Sequence, residues 1–189
     1  IITGGLGYIG TELCKLYSGV SWKHEIIVID NRFISERINQ LRNWNIEFVH
    51  GDILNKDLLS RYLKDADVVH HLAGVTDVPR VKSETSKAQD EIIKEVAEKG
   101  TQNILDIIND KCKIIFPSTH VVYEGIDQVK NDIKEDEPTK PVLSYSTSKD
   151  NNEKQIKNSG KNFIILRLGS VYGYSTDTMR IDIMPNLFS

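Results

Sequence analysis

Tyr145 stands four residues before Lys149 in the run LSYSTSKDNNEK, and on a helix positions four apart lie on one face. Two uses fit such a pair. The ring can simply pack along the aliphatic stem of the lysine. Alternatively, the ammonium favours the phenolate and so lowers a phenol pKa that is ordinarily about 10, too high for a base at neutral pH. The tyrosine is then an acid/base. Spacing alone leaves both open.

A second constellation lies at the start of the chain. TGGLGYIG sets Gly4, Gly7 and Gly10 at intervals of three between a strand stub and a helix. Gly4 permits a tight turn, Gly7 lets backbone approach a pyrophosphate, and Gly10 lets helix pack on strand, with the helix N-terminus facing the phosphates. Asp30 ends the next strand, 20 residues beyond Gly10, where a carboxylate accepts hydrogen bonds from an adenosine ribose. It also repels a 2′-phosphate, which favours NAD over NADP, although Arg32 nearby leaves room for the other choice. Tyr8, Ile9 and Asn31 flank these positions and are counted with the cofactor site, as are Asp52 and Ile53. Asp52 either accepts from the adenine amino group or caps the helix that follows. Leu72, Ala73 and Gly74 of HLAG end a further strand, where small residues let a cofactor lie across the sheet edge.

His70 and His71 are adjacent on that strand, so they point to opposite faces and read as packing residues, not a metal pair. Cys14 and Cys112 show no ligand spacing and read as small buried thiols in a reducing cytosol. No metal site is expected.

The elements that must position these residues are short apolar runs alternating with helical stretches. The runs are II at the start, EIIVID (25–30), IEFVHGD (46–52), ADVVHHLAG (66–74), KCKIIFPST (111–119) and NFIILRLGS (162–170). Helices are expected from TELCKLYSG, from a polar segment carrying Ile34, Ile38 and Leu41, from KDLLSRYLKD, from about 84 to 109 and around Tyr145, the last ended by Gly160. Continuous apolar strands joined by helices predict a doubly wound parallel α/β sheet. Residues 124–142 are charged, contain two prolines and read as a loop at the sheet edge.

The chain has 189 residues, 39% hydrophobic and 27% charged, which suits one globular domain and argues against disorder. The net charge of −3 gives no basic footprint for nucleic acid. No apolar run approaches the ~20 residues that span a bilayer, and no signal peptide is visible. The sequence opens inside a motif with no initiating Met, so residues are expected to be missing there.

TGGLGYIG, VID, GDI, HLAG, PST…VY, YSTSK and LRLGSVYG occur in the order seen in extended short-chain dehydrogenases/reductases. Within that superfamily the chain resembles the NAD-dependent epimerase/dehydratase family acting on nucleotide sugars. The resemblance implies a Rossmann fold and bound NAD. It implies Tyr145 as catalytic acid/base, Lys149 as its charge partner and holder of the nicotinamide ribose, and Thr119 as the hydroxyl that bonds the reacting sugar hydroxyl. Ser118 and Ser170 join the substrate side. It further implies a cytoplasmic homodimer, with the helix near 84–109 and the Tyr145 helix packing across its interface.

Several positions depart from the family pattern. The Asp-Glu pair that related 4,6-dehydratases carry after the threonine is His120 and Val121, which disfavours elimination of water. V-Y-G has become VYEG, an Asn before the GT of the long helix is Ala97, and an Asn after the sixth strand is Ser170. Full-length relatives have a further C-terminal region, so residues 1–173 are expected to form the NAD-binding domain and 174–189 to begin a truncated substrate-binding region. The expected activity is C4 epimerisation by transient hydride transfer to NAD. Net oxidoreduction, decarboxylation or dehydration on the same site, or a non-catalytic dinucleotide-binding role, are the alternatives.

Overall fold

The computed structural model describes residues 1–75 and 87–175. Six parallel strands form one sheet in the order β3-β2-β1-β4-β5-β6. They are β1 (Ile2–Thr3), β2 (Ile27–Asp30), β3 (Glu47–His50), β4 (Val68–His71), β5 (Lys113–Thr119) and β6 (Asn162–Leu168). Between them run α1 (Tyr8–Ser18), α2 (Ser35–Asn43), α3 (Lys56–Leu63), α4 (Lys87–Ile107) and α5 (Ser144–Asn158). The strand order reverses between β1 and β4, and their carboxyl ends open the crevice where ligands of such sheets bind.

Alternation along the strands sends apolar side chains to both faces. Val28 joins Ile2, Leu6, Cys14, Ile38 and Leu41 beneath α1 and α2. Ile27 and Ile29 point the other way, into a larger core with Ile53, Leu59, Ile104, Ile114, Phe116 and Ile156 under α3, α4 and α5. The first of these layers stops short of β6. There Ile164 and Leu166 remain 40% and 44% exposed on a strand that, among the described residues, is paired only with β5.

The expected doubly wound sheet is the observed one, with three local differences. α1 begins at Tyr8, inside the glycine motif, because Gly7 is extended (φ −79°, ψ 176°) and serves as its N-cap. The long helix buries Ile93 and leaves Ile92 at the surface. A short 3-10 helix, His120–Tyr123, follows β5. Residues 124–142 are irregular, as the two prolines imply, and Gly160 ends α5 with φ +72°. Residues 84–86 and 176–189, for which the sequence suggested a helix start and the opening of a substrate region, lie outside the described residues.

Candidate active site

The glycine loop is shaped by contacts that no side chain would tolerate. Gly4 has φ +71°, and a Cβ there would stand 2.7 Å from the Ala73 nitrogen. The first turn after β1 therefore touches the backbone that ends β4. A Cβ on Gly10 would stand 2.6 Å from the Gly4 carbonyl oxygen, so the helix closes directly on the loop. Gly5, passed over in the sequence reading, is equally constrained, with a Cβ meeting Val28 at 2.5 Å. Ile9 lies at the surface, 37% exposed, and the Tyr8 hydroxyl donates to the Gly173 carbonyl. The cradle and the α1 N-terminus fit a dinucleotide pyrophosphate.

Asp30 is buried at the end of β2 and already has partners. Its Oδ2 accepts from the Leu6 N–H (3.0 Å) and Arg32 Nη2 (3.3 Å), and its Oδ1 from the Arg32 N–H (3.0 Å) and Nε (3.2 Å). Asn31 donates to Asp52 Oδ2 at 2.9 Å. Asp52 Oδ1 accepts from the Leu54 N–H at 2.8 Å, but the N-cap of α3 is Asn55, which accepts from Leu58. Capping by Asp52 is thus corrected to a turn three residues earlier. The Ile53 side chain is in the core, where Gly100 leaves it room.

After β4, Leu72 donates its N–H to the Thr3 carbonyl (3.1 Å), Ala73 donates to Thr3 Oγ1 (3.3 Å), and Gly74 is open. The two histidines do face opposite ways. His70 meets the Tyr17 hydroxyl at 2.8 Å, while His71 lies buried between the Thr3 and Thr101 hydroxyls at 3.0 and 2.9 Å. Burial, with Lys149 nearby, lowers the His71 pKa to about 3. Both are packing residues, and among the described residues no cluster suits a metal ion.

The reactive elements meet at the ends of β5 and α5. Tyr145 and Lys149 share a face of α5, with the ammonium 5.9 Å from the centre of the Tyr145 ring. Lys149 Nζ also lies 4.4 Å over the Phe116 ring and donates to the Pro117 carbonyl at 2.8 Å. That bond fixes α5 to β5 two residues before Thr119. Burial draws the Lys149 pKa down from 10.5 to about 8, which leaves it a cation at neutral pH. Thr119 is buried and accepts from the Val121 N–H at 3.3 Å, capping the 3-10 helix. Ser170 is exposed beyond β6.

Ser118 points away from Thr119, as neighbours on a strand must, and donates to Glu153 Oε1 at 2.5 Å. Glu153 is 1% exposed and takes Arg167 in a two-pronged bond, Nε at 2.9 Å and Nη2 at 2.7 Å, with Lys157 at 3.1 Å. Burial alone would raise this carboxyl, but the bonds from Arg167, Ser118 and Lys157 outweigh it and hold the pKa at about 2. Arg167 reaches on to the Tyr123 hydroxyl and the Glu135 carbonyl. The sequence reading missed Glu153 and Arg167. Their signals were a carboxylate four residues after Lys149 and one charge within the otherwise apolar FIILRL.

Glu124, the residue that turns V-Y-G into VYEG, caps the Tyr145 helix. Its Oε1 accepts from the Val142 N–H (2.8 Å), the Leu143 N–H (2.7 Å) and the Ser146 hydroxyl. His120 turns its Nδ1 to the Leu168 carbonyl at 3.1 Å, and Val121 carries no acid. With Glu124 committed to the helix, no carboxylate stands immediately after Thr119 to serve an elimination.

Residues 1–187 match the NAD dependent epimerase/dehydratase family. The CDP-paratose 2-epimerase of Salmonella typhi is 34% identical over 141 residues, 69% of this chain and 39% of that protein. The dTDP-D-glucose 4,6-dehydratase of Dictyostelium discoideum is 32% identical over 194 residues, covering 92% of this chain and 44% of its own length. Among solved structures, UDP-glucuronic acid 4-epimerase from Bacillus cereus in complex with NAD superposes with a TM-score of 0.78 at 29% identity, over 98% of this chain and 60% of that one. The chain thus spans about 40 to 60% of the length of these relatives.

Proposed function

The chain belongs to the NAD-dependent epimerase/dehydratase family, and on that premise we propose that it is the NAD-binding, catalytic part of a nucleotide-sugar epimerase acting at C4. The observation that carries the reading is the Tyr145–Lys149 pair of α5, anchored to β5 through Pro117, two residues before Thr119, with no Asp-Glu pair after that threonine. The glycine loop, Asp30 and the backbone at Leu72–Gly74 hold the cofactor, and Lys149 holds the nicotinamide ribose. Bound NAD supplies a hydride acceptor that later returns the hydride.

Tyr145 takes the proton from the sugar hydroxyl and gives it back after the sugar has presented its other face. The Lys149 ammonium favours the phenolate while the proton is away. The Thr119 hydroxyl holds the reacting oxygen by a hydrogen bond and fixes its distance from Tyr145. Ser118 adjoins this site only through the backbone of β5, since its hydroxyl is turned away and engaged by Glu153. Ser170 lies on the sugar-nucleotide side. Residues 174–189 begin the region that selects the sugar.

The protein is further proposed to be a cytoplasmic homodimer that contacts its copy through α4 and α5. Two free, buried cysteines suit a reducing compartment, and among the described residues no helix is long and apolar enough to cross a membrane.

The test is incubation of the full-length protein with UDP-, GDP-, CDP- and dTDP-sugars. Epimerisation gives an isomer of unchanged mass with no net use of NAD. A product lighter by water or carbon dioxide, or stoichiometric NADH, would replace epimerisation with one of the family's other reactions.

A further inference from the structure

Tyr145 stands between two serines, and each is tied by its hydroxyl to a carboxylate on a different element. Ser144 donates to Asp90 Oδ1 of α4 at 2.5 Å. Ser146 donates to Oε1 of Glu124, the residue that ends the 3-10 helix. Neither acid comes from α5, whose first turn contains no Asp or Glu. A helix N-terminus carries partial positive charge, so carboxylates supplied from neighbouring elements are stabilising there. Asp90 also lies in the first turn of α4, so one carboxylate serves the amino ends of two adjacent helices. The two helices stay joined further along, where Asn151 donates to Glu98 Oε1 at 3.1 Å and Asn152 to the Ala97 carbonyl at 2.9 Å. Both bonds lie about two turns beyond Asp90 on α4 and about two turns beyond Ser144 on α5. The Asp90–Ser144 bond therefore extends a regular seam up to the level of Tyr145.

We propose that Asp90 is a positioning residue for the reaction, holding the turn that carries Tyr145 against α4 through the Ser144 hydroxyl. The inference rests on the reading of Tyr145 given above. Three bonds then fix this turn from three directions: Ser144 to α4, Ser146 to the end of the 3-10 helix, and Lys149, one turn on, to the Pro117 carbonyl of β5 at 2.8 Å. A small rotation of the turn is magnified at the phenol oxygen, the far end of the side chain. A displacement there of about 1 Å costs up to about a hundredfold in rate. What the turn needs from Asp90 is an acceptor oxygen, which an asparagine also has.

Steady-state kinetics of the full-length protein on the nucleotide sugar it converts test this, with urea unfolding of each variant alongside. Asp90→Ala and Ser144→Ala should each lower kcat about tenfold, with KM and the NAD dissociation constant within about threefold of wild type. The double variant should fall no further than either single one, because both remove the same bond. Asp90→Asn should keep most of kcat. Ser144→Ala deletes one oxygen and leaves Asp90 at the head of α4, so it decides the matter where Asp90→Ala unfolds. Unchanged kcat in Ser144→Ala, additive losses in the double variant, or an Asp90→Asn protein as slow as Asp90→Ala would overturn the proposal. If Tyr145→Phe is inactive in the same assay, the tyrosine reading survives that result. Full turnover by Tyr145→Phe, or no turnover of any sugar by the wild type, would overturn both.

Discussion

The Glu124 carboxylate accepts the Leu143 N–H at 2.7 Å, although the two stand 19 positions apart along irregular chain. One acid at the end of the 3-10 helix thus holds the first turn of the helix that carries Tyr145. Replacing Glu124 by Ala removes the acceptor for Val142, Leu143 and Ser146, and an N-terminal cap of this kind is worth about 1 kcal/mol. Urea unfolding should show that loss, while Glu124→Gln keeps most of it. Turnover should fall further than stability does in Glu124→Ala, because Tyr145 lies in the loosened turn.

Tyr145→Phe removes the proton carrier and little else. Turnover of the full-length protein should drop by about two to four orders of magnitude, with NAD binding by titration unchanged within about threefold. Unimpaired turnover would take Tyr145 out of the reaction.

The Glu153–Arg167 pair is a buried ion pair with one exposed flank, and removing one partner strands the other. Glu153→Ala should cost about 3 kcal/mol in chemical denaturation. The folded carboxyl lies at about 2, below its ordinary 4.5, so the unfolded chain binds the proton first as pH falls. The contribution is complete above about pH 4.5 and is lost on the way to pH 2. The gap between wild type and Glu153→Gln should therefore narrow across that window.

His71 adds acid sensitivity at milder pH. Its folded pKa of about 3 lies below the ordinary 6.5, so protons favour the unfolded chain as pH falls from 6.5 towards 3. The slope from this one group approaches about 1.4 kcal/mol per pH unit. His71→Asn should flatten the stability profile between pH 6.5 and 4.5, leaving the smaller slope from His70, which burial shifts in the same direction.

The proposed dimer contact on α4 and α5 is polar. Asn151 bonds to Glu98 at 3.1 Å, Gln155 donates to the Glu98 carbonyl at the same distance, and Lys154 pairs with Asp150. A contact built of such groups weakens as salt screens it. Sedimentation should find dimers at low ionic strength that dissociate as salt rises. Monomers at every ionic strength would remove the dimer.

The residues with local signatures were the ones legible in the sequence. Gly4, Gly7 and Gly10 announce a loop by spacing, the six strands by continuous apolar runs, and Tyr145 and Lys149 by the helical period. What stayed hidden depends on partners that only the sheet brings together. Glu153 meets Ser118 across 35 residues, and Glu124 meets Leu143 across a loop without periodicity. Arg32 stood two residues from Asp30 in the sequence, yet nothing local said that its side chain would fold back onto the carboxylate. α1 starts early because Gly7, extended and without a side chain, can act as a cap where a longer residue would be expected to continue the loop.

β6 carries Ile164 and Leu166 on a face that α1 and α2 do not reach, and its outer edge offers unpaired N–H and C=O groups among the described residues. An apolar edge strand of that kind is a template for self-association. Self-association through this edge is the expected outcome, and charged substitutions at Ile164 and Leu166 should reduce it without disturbing the glycine loop at the far side of β4 and β5.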